Sequence, residues 1–241
     1  NDYWLNTEDH NMISLGRWLT DSKNGAGNLL ARVIVNRLWH YHFGQGIVKT
    51  PNDFGTIGGT PSHPNLLDWL ASELIKNEWK LKPIQKLIVS SATYRQRNST
   101  STEYAKIDSE NTLLWHRKPS RLEAEAIRDR MLDVAGVLNK QMFGPSIPIG
   151  NYKETFEDLP QSWRRSIYLQ AHRAVEHPTL SLFNSPNTEV SVGARSTSTG
   201  EESTLFTLNS KLSWQLAEHF AKRIEETEQT DSISKIKTAY M

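Results

Sequence analysis

Apolar residues recur every three or four positions in segment after segment of this chain, and only one short run alternates with a period of two. Spacing near 3.6 marks a helix that buries one face, so the pattern predicts a mainly α fold. Met12, Leu15, Trp18 and Leu19 open the series over residues 10–20. Over residues 28–43 come Leu29, Leu30, Val33, Ile34, Leu38 and Tyr41, broken only by Arg32, Asn36, Arg37, His40 and His42. A helix that apolar belongs at the centre of a core, and Trp18 and Trp39 fall on faces expected to be buried. Gly44 stands where a left-handed C-terminal cap belongs. Ser62 can cap a third helix that starts at Pro64 and carries Leu66, Leu67, Leu70, Ala71 and Leu74. Ile84, Leu87 and Ile88 follow, then a polar surface connection over residues 97–111. Residues 120–139 are the clearest amphipathic helix, and 203–226 read as one last helix through Leu205, Leu208, Leu212 and Leu216. The single alternating run, residues 165–170, predicts a small β element near 165–175.

The chain of 241 residues is therefore expected to be one domain: a helical body at 10–142, a loop-rich segment with a short strand at 143–202, and a C-terminal helix at 203–226. It starts at Asn1, so it reads as a fragment of a longer protein whose signal peptide, if any, lies outside it. No apolar run reaches the roughly 18 residues of a membrane span.

Composition closes several chemistries. There is no Cys, which excludes disulfides, thiolate zinc sites, iron–sulfur clusters and covalent haem attachment within the chain. Lys plus Arg number 28 against 27 Asp plus Glu, a net charge of +1. That balance argues against a nucleic-acid partner, which calls for a basic surplus. His40 and His42, two apart on a helix, point in opposed directions and cannot chelate one ion together. His172 and His177, with Glu176 beside them, are weak candidates for a mixed His/carboxylate metal site. Gly44, Gly46, Gly55, Gly58 and Gly59 resemble a phosphate cradle only loosely, because Lys49 stands where a third Gly is needed and a helix precedes them. Ser146 lacks the Gly that follows a nucleophile elbow. No cofactor is expected in this chain.

Two segments carry the functional reading. The helix around residues 121–129 places Arg121, Glu125 and Arg128 along one side of its apolar stripe and Glu123 along the other. Arg121 with Glu125 is an i,i+4 pair and Glu125 with Arg128 an i,i+3 pair, so the plain reading is a salt-bridge ladder. The sharper reading pins this helix against the Gly-rich loop at 44–63 and leaves a carboxylate for acid–base work. In that loop Asn52 and Asp53 precede Gly55 and read as turn formers; Asp53 and His63 could instead line a polar site. The catalytic candidates are thus Asp53, His63 and Glu125. The binding or network candidates are Arg37, Asn52, Arg121, Glu123, Arg128, Asp129 and Arg165, with Trp214 as an exposed, partner-contacting ring. Asn98-Ser99-Thr100 is a bare N-glycosylation pattern.

Taken in order, Arg32-Val33-Ile34-Val35-Asn36-Arg37-Leu38-Trp39, Phe43-Gly44-Gln45-Gly46-Ile47-Val48, Asn52-Asp53-Phe54-Gly55, Pro61-Ser62-His63-Pro64, Leu66-Leu67-Asp68-Trp69-Leu70-Ala71 and Ser91-Ala92-Thr93-Tyr94-Arg95 resemble the planctomycete-type family called domain of unknown function 1553. The resemblance runs over residues 10–220. It implies a C-terminal module of large exported proteins, periplasmic or extracellular, in which a cytochrome-c-like domain often comes first and polysaccharide use is often suggested. It transfers no activity and no catalytic residue. The chain departs from the family late: residues 190–194, Val-Ser-Val-Gly-Ala, lack the Cys that tends to precede the Arg matching Arg195. Gly200-Glu201-Glu202-Ser203-Thr204 replaces the usual Thr-Pro-Leu-Gln-Ala. Two functions follow as expectations. One is a non-catalytic interaction module docking on upstream domains of the same polypeptide, a cytochrome-like domain or a glycan. The other is a glycan-active enzyme using carboxylate and His chemistry.

Overall fold

Helix α1, Met12–Thr20, stops where the Asp21 carboxylate accepts the N–H groups of Lys23 and Asn24 and turns the chain. The computed structural model describes residues 12–98, 101–148, 160–173, 176–195, 200–226 and 231–240. Residues 10 and 11 of the first predicted helix, Ser99 and Thr100 of the glycosylation pattern, and residues 149–159 of the predicted loop-rich segment lie outside them. Two compact units divide the chain, Asn1–Ser120 and Arg121–Met241.

In the first unit α2, Gly27–Phe43, buries Ala31, Val35 and Trp39 against α3, Pro64–Lys76, and α4, Leu81–Ser90. Leu67, Leu70 and Leu74 come from α3, Ile84 and Ile88 from α4, and Ile47 and Val48 from the loop after α2; together they form one core. The α3 stripe is the one the spacing predicts, and α4 buries Ile84 and Ile88 but leaves Leu87 39% exposed. On α2 the buried positions are Ala31, Val35, Asn36 and Trp39, while the predicted Leu29 and Tyr41 are exposed and Leu30, Val33, Ile34 and Leu38 only partly buried. Trp18 departs from expectation: α1 packs on α2 along one edge, buries no residue of its own, and leaves Trp18 38% exposed. Ser62 also departs. The residue at the α3 N-cap is His63, and the Ser62 hydroxyl donates to the Ile47 carbonyl at 3.3 Å instead. The polar connection holds a short helix, α5, Thr102–Ile107, whose cap Ser101 accepts the Tyr104 N–H.

In the second unit α6 spans Ala124–Val134, shorter than the predicted helix at each end. After it come a four-residue helix α7, Pro178–Ser181, then α8, Glu201–Asn209, α9, Lys211–Glu225, and α10, Ser232–Tyr240. Leu132, Ala135, Trp163, Leu212 and Leu216 form this unit's core. The run read as a strand is a 3₁₀ turn over Ser166–Tyr168, and its β character is two isolated parallel bridges, Asn139 to Arg164 and Ile147 to Leu169. The reason is local: the Arg164 carbonyl and the Ser166 N–H are taken by side chains of α6. The last predicted helix is two, because Ser210 is extended and its hydroxyl caps α9 by accepting the Ser213 N–H at 3.1 Å. That break leaves Leu205 and Leu208 exposed while Leu212 and Leu216 are buried.

Candidate functional site

The loop at 44–63 is fastened from its first turn onward. Gly44 takes the left-handed conformation, φ 80°, and donates its N–H to the His40 carbonyl. His40 itself is pushed down from its ordinary value by burial, which disfavours its cationic form at this helix end. Asn36, fully buried on α2, acts as a two-pronged clamp: its amide donates to the Val48 carbonyl at 3.1 Å and its carbonyl accepts the Val48 N–H at 2.8 Å. Gly46 lets the chain lie on that amide, since a Cβ there would come within 2.7 Å of it. Arg37 donates to the Asn52 side chain at 2.9 Å. Thr50 then closes the tip, its hydroxyl donating to the Asp53 carbonyl at 2.7 Å and accepting the Gly59 N–H at 2.8 Å. Inside that ring the Asp53 carboxylate accepts the Gly55 N–H at 2.8 Å. Asp53 is thus a turn former, and Ile57 at the tip is 93% exposed.

His63 lines a small cleft of about 70 Å³ beneath this loop, with its Nδ1 3.0 Å from the Ser62 hydroxyl. Trp39 and Phe43, stacked at 4.2 Å, also line it, as do Lys49, Glu110 and Lys118. The polar rim is internally matched. Lys49 pairs with Glu110 at 2.8 Å, and Lys118 donates to the Glu110 carbonyl. The hydrogen bond and charge of Lys49 hold the Glu110 carboxyl below its ordinary value. Asp53 is not in the lining, so the cleft brings His63 to Glu110 and not to the predicted partner.

The charged helix is organised differently from the predicted ladder. Regular α6 begins at Ala124 after an extended Glu123, which leaves Arg121 off the helix and outside the i,i+4 geometry. The Arg121 guanidinium instead lies 5.8 Å from the centroid of the Phe183 ring. Glu125 is held by Arg195 at 2.6 Å, and Glu123 is 3.6 Å from the same guanidinium. Burial opposes ionisation of Glu125, but the hydrogen bond and charge of Arg195 outweigh it and keep the carboxyl below its ordinary value. Arg128 is 0% exposed. It donates to the Arg164 carbonyl at 3.0 Å, the Ser162 carbonyl at 2.9 Å and the Ser166 hydroxyl at 3.2 Å. Asp129 accepts both the N–H and the hydroxyl of Ser166, at 2.7 and 2.6 Å. Arg128 and Asp129 therefore clamp the 3₁₀ turn from two adjacent helix positions.

The remaining candidates are scattered within this unit. Arg165 precedes the 3₁₀ turn with its side chain exposed. Trp214 lies on α9, 64% exposed. The His172 carbonyl accepts the Thr188 hydroxyl, and His177 is buried just before α7. Among the described residues no three His, Cys, Asp or Glu side chains group as metal ligands.

Asn36, Arg164 and Arg195 are the residues that reading the sequence overlooks. Asn36 had a signal, a polar side chain on a buried helix face with a Gly-rich loop just downstream. Arg195 stands alone as a cation in a Ser- and Gly-rich stretch. Arg164 had none: it holds the carbonyls of Gln141, Phe143 and Pro145 while lying 3.9 Å over the Tyr168 ring, contacts that exist only once the loop has folded back.

Loop and helix together define a class, an α-helical module whose charged and polar groups are spent on fastening irregular chain. The chain belongs to the family described as PSD1, a protein of unknown function (DUF1553), whose model matches residues 11–241. No curated protein and no solved structure matches it.

Proposed function

We propose that this chain is a non-catalytic binding module, without a cofactor of its own, in an exported protein of the periplasm or cell exterior. Its partners are the domains that precede such modules in the polypeptide, a cytochrome-c-like domain among them. The observation that supports this reading is the loop tip at 50–59. Thr50, Asp53 and Gly59 spend their polar groups on holding one loop shape, and that shape presents Ile57 to solvent. A pre-ordered loop with an apolar tip loses little entropy on docking. The carboxylates a glycan-active enzyme would use are engaged elsewhere: Asp53 in its turn, and Glu125 ionised against Arg195, which makes it a poor proton donor near neutral pH.

The test is binding of the chain to separately produced preceding domains, followed by calorimetry, with and without Ile57→Asp. Binding weakened about tenfold or more, equivalent to about 1.4 kcal/mol, is the expected result. Binding indifferent to Ile57, together with reducing sugar released from polysaccharide and lost in Asp53→Asn or Glu125→Gln, establishes the glycan-active enzyme instead.

A further inference from the structure

Charges that balance over the whole chain are segregated in one stretch. From Trp79 to Thr102 the sequence carries Lys80, Lys82, Lys86, Arg95 and Arg97 and not one Asp or Glu. In the structure these cations are all exposed. On α4 the buried side chains are Ile84 and Ile88, so at 100° per residue the outward face carries Lys82 and Lys86, one turn apart, with Val89 beside them. Two like charges at i,i+4 on a ten-residue helix cost stability, and no carboxylate of the described residues pairs with either. Lys80 is the exception, answered by Glu78 at 2.7 Å.

Past the helix the chain carries two more exposed cations, Arg95 and Arg97. Arg95 follows in the turn closed by the Ser91 carbonyl, and the Arg97 carbonyl accepts the backbone N–H of Arg117. Arg117 is itself fixed, its guanidinium donating to the Tyr94 carbonyl at 3.0 Å and lying 3.9 Å over the Tyr94 ring. The structure thus stations Lys82 and Lys86 without a carboxylate partner among the described residues, on a helix that is firmly seated by Ile84 and Ile88.

We infer that the outward face of α4 and the turn after it, from Lys82 to Arg97, is a docking surface for a carboxylate-rich segment of a partner protein. The inference rests on the reading of the chain as a binding module and names a second surface for it. Charge fixes the sign of the partner. The apolar groups on and around that face decide its class. Val89, 38% exposed, lies beside Lys82, and Leu81 and Leu87, 43% and 39% exposed, flank the face on either side; such groups add contact with a protein's side chains but none with the phosphates or sulfates of a polyanion. Single-stranded nucleic acid would also need open aromatic faces. Here Trp79 and Tyr94 pack on the core and Tyr94 lies under Arg117.

The experiment uses the whole chain and three fluorescent probes: a synthetic helical peptide with Glu and Leu at alternating turns, a heparin oligosaccharide and a duplex DNA. At 150 mM salt the peptide is expected to bind most tightly. Lys82→Glu with Lys86→Glu should weaken it at least tenfold, whereas Lys211→Glu with Lys222→Glu, an equal change of net charge on α9, should change it less than twofold. Circular dichroism verifies that both variants keep their helix. Equal loss in the two variants, or no peptide binding even at 50 mM salt, overturns the inference; heparin or DNA binding tighter than the peptide overturns it in favour of a polyanion site. Ile57→Asp separates the two readings. It should leave peptide binding unchanged: docking to the preceding domains that is indifferent to Ile57 while the peptide still binds rejects the loop reading alone, and peptide binding lost with Ile57→Asp overturns the present inference.

Discussion

Arg128 and Arg195 both serve α6, but different amounts of solvent surround them, and the cost of losing each should differ accordingly. Arg128 has no exposure, and truncating it strips donors from two carbonyls and a hydroxyl and removes the cation 3.8 Å from the Asp129 carboxylate. Arg128→Ala should cost about 3 kcal/mol in urea denaturation, the range for removing one member of a buried charged cluster. The Arg195–Glu125 pair is about a third exposed on each side, so Arg195→Ala should cost about 1 kcal/mol or less. A cost for Arg195 as large as that for Arg128 would contradict this assignment. The pair also carries a pH signature. The folded carboxyl of Glu125 lies below its ordinary 4.5, so the stability it contributes is present above about pH 4.5 and is lost as pH falls through the lower folded value. Thermal melts from pH 7 down to 3 should drop less steeply in Arg195→Gln than in the parent chain.

Elements decide how loops hold. α2 fixes the start of the following loop through Asn36, which offers Val48 both halves of a peptide group and so replaces a strand neighbour. Asn36→Ala should leave a buried N–H and C=O unpaired, at about 3 kcal/mol. Gly46→Ala should act through the same contact, since its Cβ would press on the Asn36 amide and on the Val48 carbonyl at 2.6 Å. The two substitutions remove one clamp, so their effects measured by denaturation should be clearly less than additive. The turn at 166–168 shows the same logic reversed. Alternation of Ile167 and Leu169 with Ser166 and Tyr168 reads as a strand, yet α6 supplies the hydrogen-bond partners and the chain curls. Alternation reports which side chains share a face; it does not report who takes the backbone.

Over the whole molecule, stability is lodged in two cores that share no residue. Leu74 has no exposure in the first, and Leu74→Ala should cost 2–5 kcal/mol, a value set by how far the cavity collapses. Residues 1–120 produced alone should keep helix and unfold cooperatively, with Leu74→Ala lowering the midpoint; a fragment without cooperative unfolding would show that the first core does not stand by itself. Surface charge works at this scale as well. A net of +1 hides the run of cations on α4 and beyond, because the average of a chain says nothing about where its charges lie.

The amino-acid order alone determined the mainly α class, the buried stripe of α3, the burial of Trp39, Ile84 and Ile88, the left-handed Gly44 and the turn at Asp53. Each of these depends on neighbours within about four residues, and periodicity and local hydrogen bonding report those directly. Tertiary structure decided the rest: that Glu125 answers Arg195 and not Arg121, that Arg128 grips the 3₁₀ turn, and that His63 meets a cleft with Glu110. Those contacts join residues 34 to 70 positions apart, or on separate loops, where spacing along the chain no longer constrains distance in space.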